Sequence, residues 1–279
     1  MKEKAYAKIN LFLDVVGKRL DNYHNLEMIM APIDIFDELH FKKTDDKSIE
    51  IKSDRKITEK KEDNLVYKVA QYIMDKHSID GGLEVEIKKK IPIAAGLAGG
   101  SADAAATLRG LNRLFKLKYS KEDLADIGEM FGSDIPHCVY NKLCIARGKG
   151  EEIVFLNKKL KMPVLIICPD IEVSTKAVFE TVKMNQVKHR KITTMSNAIY
   201  NQNKVLITQS LYNALEPFSF GLFKEIKTLK DEINAMGVDG VLMSGTGPTI
   251  FVLDRDKEKL QDIEAKYQEK YYVELTKIK

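Results

Sequence analysis

Tryptophan is absent from this chain of 279 residues, and cysteine occurs only three times. Cys138, Cys144 and Cys168 are odd in number, irregularly spaced and set in apolar surroundings. That excludes a disulfide framework and fits reduced, buried thiols in a cytoplasmic protein. Neither CxxC nor HExxH occurs, so no metal site is expected from zinc-type spacing. No apolar run approaches the ~18–20 residues needed to span a membrane. The apolar stretch near the start is interrupted by Lys8, Asn10 and Asp14, which a signal-peptide core does not tolerate. Neither sign of charge dominates, with 45 Lys and Arg against 41 Asp and Glu. No basic cluster stands out, which argues against a nucleic-acid partner. Two common phosphate-binding signatures, GxxxxGK[ST] and GxGxxG, are missing, as are the HRD and DFG of protein kinases.

What remains is the composition of a folded globular protein, 44% hydrophobic and 31% charged. The length suits two domains of ordinary size. Strand-like patterns occur near 4–16, 25–33, 37–43 and 48–53. Asn64 precedes a helical pattern at Leu65, Val66, Val69, Ala70, Ile73 and Met74. Leu83, Val85 and Ile87 alternate with charged residues as in a half-buried strand. A helix is expected over 102–117, and Ser120 with Asp123 forms a capping-box pattern for the next. Asp134-Ile135-Pro136 opens a third, since Pro is tolerated in a first turn. A boundary is expected near 158–162, giving domains 1–160 and 161–279. The second half is expected to hold a strand at 163–168 and helices from Ser174, near 191–201 and 203–213, and over 221–236. The strands 240–243 and 249–253, a helix near 256–269 and the strand 271–278 complete it.

The densest run of small residues joins the strand at 83–87 to the helix that follows. It comprises Pro92, Ile93, Ala94, Ala95, Gly96, Leu97, Ala98, Gly99, Gly100, Ser101 and Ala102. A strand, a small-residue loop and a helix start together aim free backbone N–H groups at a phosphate. Alanine needs negative φ far more than glycine does, so left-handed positions are expected at Gly96, Gly99 or Gly100.

Five segments in register carry a resemblance. Ala7-Lys8-Ile9-Asn10-Leu11 is followed by Asp21-Asn22-Tyr23-His24. The small-residue loop comes next, then Gly132-Ser133-Asp134-Ile135-Pro136, and finally Ser244-Gly-Thr-Gly-Pro-Thr249. Together they resemble the GHMP kinase superfamily over nearly the whole chain. Within it they resemble the branch that phosphorylates a cytidine diphosphate-linked methylerythritol, a small-molecule substrate, on the non-mevalonate route to isoprenoid precursors. The resemblance implies an α+β, two-lobed fold with a ribosomal-protein-S5-like N-terminal domain and a ferredoxin-like C-terminal domain. It also implies ATP and Mg²⁺ as cofactors.

The resemblance further implies roles for individual residues. Asp134 would be the general base, where the residue pattern alone reads as a helix N-cap. Lys8 would hold Asp134 ionised and lower the pKa of the acceptor hydroxyl, where pattern alone allows a lysine snorkelling from an edge strand. The loop from Pro92 to Ala102 would hold the ATP phosphates, with Ser101 adding its hydroxyl. Tyr23 would stack on the cytosine, His24 would hydrogen-bond its edge, and Phe179 would supply the second aromatic face. Asn10 would contact the erythritol or phosphate end of the acceptor. Gly245, Thr246 and Gly247 would shape the acceptor pocket, and Asn213–Glu216 would be structural. The alternatives are a homoserine- or mevalonate-type kinase, a non-catalytic ligand sensor of the same fold, and an RNA-binding protein.

Overall fold

The computed structural model of the protein describes residues 1–279. In chain order the first half contains β1 (Lys2–Lys18), β2 (His24–Thr44), β3 (Ile49–Ser53), α1 (Leu65–Lys76), β4 (Gly82–Lys88), α2 (Gly99–Leu114), α3 (Lys121–Glu129) and α4 (Ile135–Tyr140). The rest contains β5 (Cys144–Gly148), β6 (Glu152–Phe155), β7 (Pro163–Cys168), α5 (Thr175–Thr181), α6 (Ile192–Tyr200), α7 (Lys204–Gln209), β8 (Tyr212–Asn213), α8 (Glu216–Leu222), α9 (Lys224–Asn234), β9 (Gly240–Met243), β10 (Ile250–Leu253), α10 (Lys257–Tyr267) and β11 (Tyr272–Lys277).

Two compact units share these elements. The first comprises Met1–Ala7, Ile35–Ile93 and Ala98–Asn141; the second comprises Lys8–Asp34, Ala94–Leu97 and Lys142–Lys279. The long strands β1 and β2 run through both. In the first unit the end of β2, Glu38–Thr44, pairs antiparallel with β4, and β3 pairs parallel with β4. Helix α2 packs against α1, α3 and α4. Its alanines explain the closeness: Ala102, Ala104, Ala105 and Ala106 are buried. A Cβ placed on Gly110 would lie 2.6 Å from the Phe41 ring, so only glycine lets α2 reach β2 there. Local signals hold as expected at two helix starts. Asn64 accepts from the Val66 amide, and Ser120 and Asp123 form a reciprocal capping box.

In the second unit Leu26–Met30 of β2 pairs with β5, which pairs with β6, and Phe12 and Leu13 of β1 pair parallel with β8. A separate four-stranded sheet has the order β11-β7-β10-β9. Numbered within this sheet, its strands run 4-1-3-2, the order of a ferredoxin-like βαββαβ domain. Its core combines Leu165, Ile167, Ile250 and Val252 from the sheet with Ile226, Leu229, Ile233, Leu260 and Ile263 from helices.

Besides α2, which runs Gly99–Leu114 rather than 102–117, three elements differ from the sequence reading. The strands expected at 25–33 and 37–43 are one strand, β2, whose residues Met28 to Pro32 form a buried stretch without alternation. The helix expected over 203–213 stops at Gln209, because Tyr212 and Asn213 are taken up as β8 against β1. The helix expected over 221–236 is two helices, since Phe223 leaves helical geometry at φ −129°, ψ 86°. All three cysteines are buried and none forms a disulfide.

Candidate active site

The small-residue loop begins after β4 and ends in α2. Three of its residues take left-handed backbone: Ala94 at φ 52°, Gly96 at 71° and Ala98 at 57°. This corrects the sequence expectation. Gly96 is left-handed as expected, but Gly99 and Gly100 lie in the first turn of α2, and two alanines make the other turns. Such alanines are strained by about 1–2 kcal/mol each, and surrounding contacts must hold them in place. Gly99 is closely packed instead. A Cβ there would sit 3.1 Å from Ile91 Cγ2 and 3.6 Å from Lys89 Nζ.

The start of α2 is left open for an anion. Ala98 offers no capping side chain, and the first turn carries no acidic residue. The leading N–H groups of the 16-residue helix are therefore not claimed by a capping group, and the helix dipole adds to their pull on a phosphate.

The loop tip is fastened to the turn between β9 and β10. Ser244 Oγ donates to Gly96 O at 3.0 Å, and the Lys8 amide donates to Leu97 O at 3.1 Å. A Cβ on Gly96 would lie 2.3 Å from Ser244 O and 3.0 Å from Gly247 O, so backbone meets backbone here. The turn itself is tightly specified. Asn213 Nδ2 donates to Met243 O at 2.8 Å and to Gly245 O at 2.7 Å, while its Oδ1 accepts from the Leu215 amide. Ser219 Oγ donates to Thr246 O, and the Thr246 hydroxyl lies 3.2 Å from that of Thr175. Glu216 accepts from the Met243 amide and pairs with Lys230 at 2.6 Å. The 244–249 segment thus connects two antiparallel strands, as a hairpin would, and also docks on the small-residue loop.

Lys8 is 5% exposed, so it does not snorkel to solvent from an edge. Its ammonium donates to Asn10 Oδ1 at 2.7 Å, which orients a fully buried asparagine. Asp134 sits directly before α4, half-buried, and its side chain makes no capping bond to that helix. The cap function that pattern alone suggested is therefore not what the carboxylate does. Lys8 and Asp134 belong to different units.

Tyr23 and His24 follow a turn built by side chains. Asp21 accepts from the Tyr23 amide and from Arg19 Nε, and the Arg19 amide donates to Tyr23 O at 2.8 Å. Tyr23 is left 62% exposed, with Lys149 Nζ 5.6 Å from its ring centre. His24 is buried, and its Nε2 has no hydrogen-bond partner. Burial, with a smaller contribution from Lys18, lowers its pKa, so the imidazole is neutral at pH 7. Its ring stacks on Phe179 at 5.3 Å and 27°. The structure thus brings Phe179 to His24, on a helix capped by Ser174.

Sequence reasoning missed a buried ionic cluster of Asp37, Lys89 and Asp103. Lys89 is buried between exposed Lys88 and Lys90, and nothing in that run of three lysines marks the middle one. Asn213 and Glu216 were expected to be structural, and they are the residues that brace the 244–249 turn.

The scaffold is mixed α/β, with a capless helix start after a small-residue loop, a buried lysine and a half-buried carboxylate before a short helix, and the comparisons place it among small-molecule kinases. The description "GHMP kinases N terminal domain" matches residues 64–142, and "GHMP kinases C terminal" matches residues 196–273. The chain belongs to the GHMP kinase family, whose members use ATP as phosphate donor. At the level of individual proteins it is similar to a Staphylococcus aureus protein provisionally named 4-diphosphocytidyl-2-C-methyl-D-erythritol kinase. The two are 41% identical over 94% of this chain and 93% of the relative. A crystal structure of 4-(cytidine 5′-diphospho)-2C-methyl-D-erythritol kinase superposes with a TM-score of 0.85 at 26% identity, covering 100% of this chain and 99% of that one. A crystal structure of L. major mevalonate kinase, 19% identical with a TM-score of 0.77 over 100% and 96% of the two chains, shares the fold.

Proposed function

We propose that this kinase transfers the γ-phosphate of ATP to the 2-hydroxyl of 4-(cytidine 5′-diphospho)-2-C-methyl-D-erythritol, releasing ADP. The observation that carries the acceptor's identity is His24. It offers a buried, neutral imidazole whose Nε2 is unpaired, beside exposed Tyr23 and stacked Phe179. A buried polar atom without a partner costs free energy unless a ligand supplies one. A cytosine edge would supply it, and aromatic faces suit the base. Homoserine and mevalonate carry no nucleobase, so neither would use these groups. Likeness to the relatives named for the cytidyl acceptor supports the same choice.

In this reading the loop from Pro92 to Ala102 cradles the β- and γ-phosphates through backbone N–H groups, with the Ser101 hydroxyl added. The acceptor hydroxyl gives its proton to the Asp134 carboxylate as its oxygen attacks the γ-phosphorus. The bond from that phosphorus to the β,γ-bridging oxygen breaks, and ADP leaves. Lys8 holds Asn10 in place and adds positive charge where the hydroxyl must lose its proton. Asn10 contacts the acceptor, and Gly245, Thr246 and Gly247 shape its pocket. Residues 1–160 would then supply the phosphate cradle and the base, and 161–279 would supply Phe179 and the turn. No group of three or more His, Cys, Asp and Glu side chains is disposed to hold a metal ion. Mg²⁺ would be held chiefly by the ATP phosphates, whose charge it offsets.

Retention of both Lys8 and Asp134 favours turnover over ligand sensing. No helix is long and apolar enough to cross a membrane, and the cytoplasm is the compartment we propose. The test is ADP release across an acceptor panel. Activity with the cytidyl acceptor is expected. Silence there with activity on homoserine or mevalonate would overturn the proposal.

A further inference from the structure

The stretch of chain entering the small-residue loop is held by carboxylates rather than by strand pairing alone. The Lys89 amide donates to Asp54 Oδ1 at 3.0 Å. The Lys90 and Ile91 amides donate to Asp37 Oδ1 at 2.6 and 2.8 Å. Pro92 has no N–H to place. Three consecutive amides are thus fixed by acidic side chains immediately before the loop.

The other end of the loop is tied to the same cluster. Lys89 Nζ donates to Asp37 Oδ2 and, at 2.7 Å, to Asp103 Oδ2 in the second turn of α2. The three side chains are between 0% and 3% exposed. Lys89 Nζ also lies beside Gly99, the first residue of α2. Removing one partner from a buried ion pair is costly, whereas well-packed apolar residues of the same volume are often as stabilising. Stability alone therefore gives little reason for a buried lysine between two aspartates.

We infer that Asp37, Lys89 and Asp103 form a positioning cluster. It sets the separation between the two ends of the small-residue loop and thereby the affinity for ATP. The inference rests on the loop being the nucleotide's phosphate site. Asp37 acts on the loop entrance, Asp103 on the helix start, and Lys89 joins them. None of the three need touch the nucleotide. Burial, opposed by Lys89 and reinforced by Asp37, pushes the Asp103 carboxyl up to about 8, consistent with a cluster that holds one proton and stays close to neutral. Its Oδ1 is buried without a partner, an environment that favours the neutral carboxyl over the carboxylate.

The test measures ATP binding directly by calorimetric titration, alongside steady-state kinetics, on the full chain. Lys89→Met and Asp103→Leu are expected to weaken ATP binding about tenfold, roughly 1.4 kcal/mol, with the acceptor KM within twofold. Asp103→Asn keeps an oxygen for Lys89 and is expected to restore ATP affinity to within about threefold of the parent protein. Asp37→Asn, a mild change, has only one oxygen to divide between the ammonium and two amides. It should also weaken ATP binding about tenfold, and it keeps the test decisive if the larger changes do not fold. Lowered thermal stability with unchanged ATP affinity in Asp37→Asn would overturn the inference, as would equal losses for ATP and acceptor. Failure of the unmodified protein to bind ATP would instead overturn the nucleotide reading beneath it.

Discussion

Replacing Gly96 with alanine tests the loop geometry at its tightest point. The left-handed backbone at φ 71° costs an alanine about 1–2 kcal/mol. Its Cβ would also lie 2.3 Å from Ser244 O, a backbone atom that cannot swing aside as a side chain can. The 244–249 turn must then separate from the loop, which breaks the Ser244 Oγ bond to Gly96 O and loses about 1 kcal/mol more. The expected destabilisation is about 3 kcal/mol, equivalent to a fall in Tm of roughly 6–12 °C. Misplacement of the loop by about 1 Å should lower kcat/KM for ATP on the order of 100-fold. Thermal unfolding and an ADP-release assay measure both. Ala94→Gly and Ala98→Gly are the controls. Each relieves left-handed strain of about 1–2 kcal/mol and loses about 0.4–1 kcal/mol through a freer unfolded chain, so stability should hold or rise slightly. Parental Tm and kinetics in Gly96→Ala would refute the argument that backbone crowding demands glycine there.

Four further outcomes are expected. Asp134→Asn should abolish turnover while leaving ATP affinity within about threefold by calorimetry; near-normal kcat would remove it as the base. Tyr23→Ala and Phe179→Ala should raise the acceptor KM about tenfold or more, on the scale of ~1–3 kcal/mol per stacked base, without moving the ATP KM. Asn213→Ala leaves Met243 O, Gly245 O and the Leu215 amide without their partner and should cost about 2–4 kcal/mol in denaturant unfolding. Asp103 has a folded pKa raised from 3.8 to about 8, so the folded state binds its proton more tightly than the unfolded chain does. That contribution is fully present below pH ~4 and is lost as pH rises toward ~8. Unfolding free energy should therefore fall between pH 5 and 8 more steeply in the parent protein than in Asp103→Asn; identical slopes would show that Asp103 does not hold the proton.

Local rules made much of the architecture readable. Asn64, Ser120 and Asp123 marked helix starts because capping chemistry is decided within a few residues. The alternation in β4 marked a half-buried strand for the same reason. Reading failed where distant segments overrode local preference. Tyr212 and Asn213 have no local signal for a strand; β1 recruits them. Phe223 breaks an otherwise helical pattern between α8 and α9.

The sequence by itself determined that a small-residue loop lies at 92–102, between a strand and a helix, and which motifs stand in register with it. Spacing along a chain is a one-dimensional property, and motifs are written in it. Only the tertiary structure decided which residues carry the left-handed turns. Ala94 and Ala98 do so against the preference of alanine for negative φ. Gly99 is spared that role and packs closely against Ile91. Burial likewise separated Lys89 from its two neighbours and set it between Asp37 and Asp103, residues 52 and 14 positions away. Such distances close only when the chain folds, because desolvation and ion pairing depend on position in space.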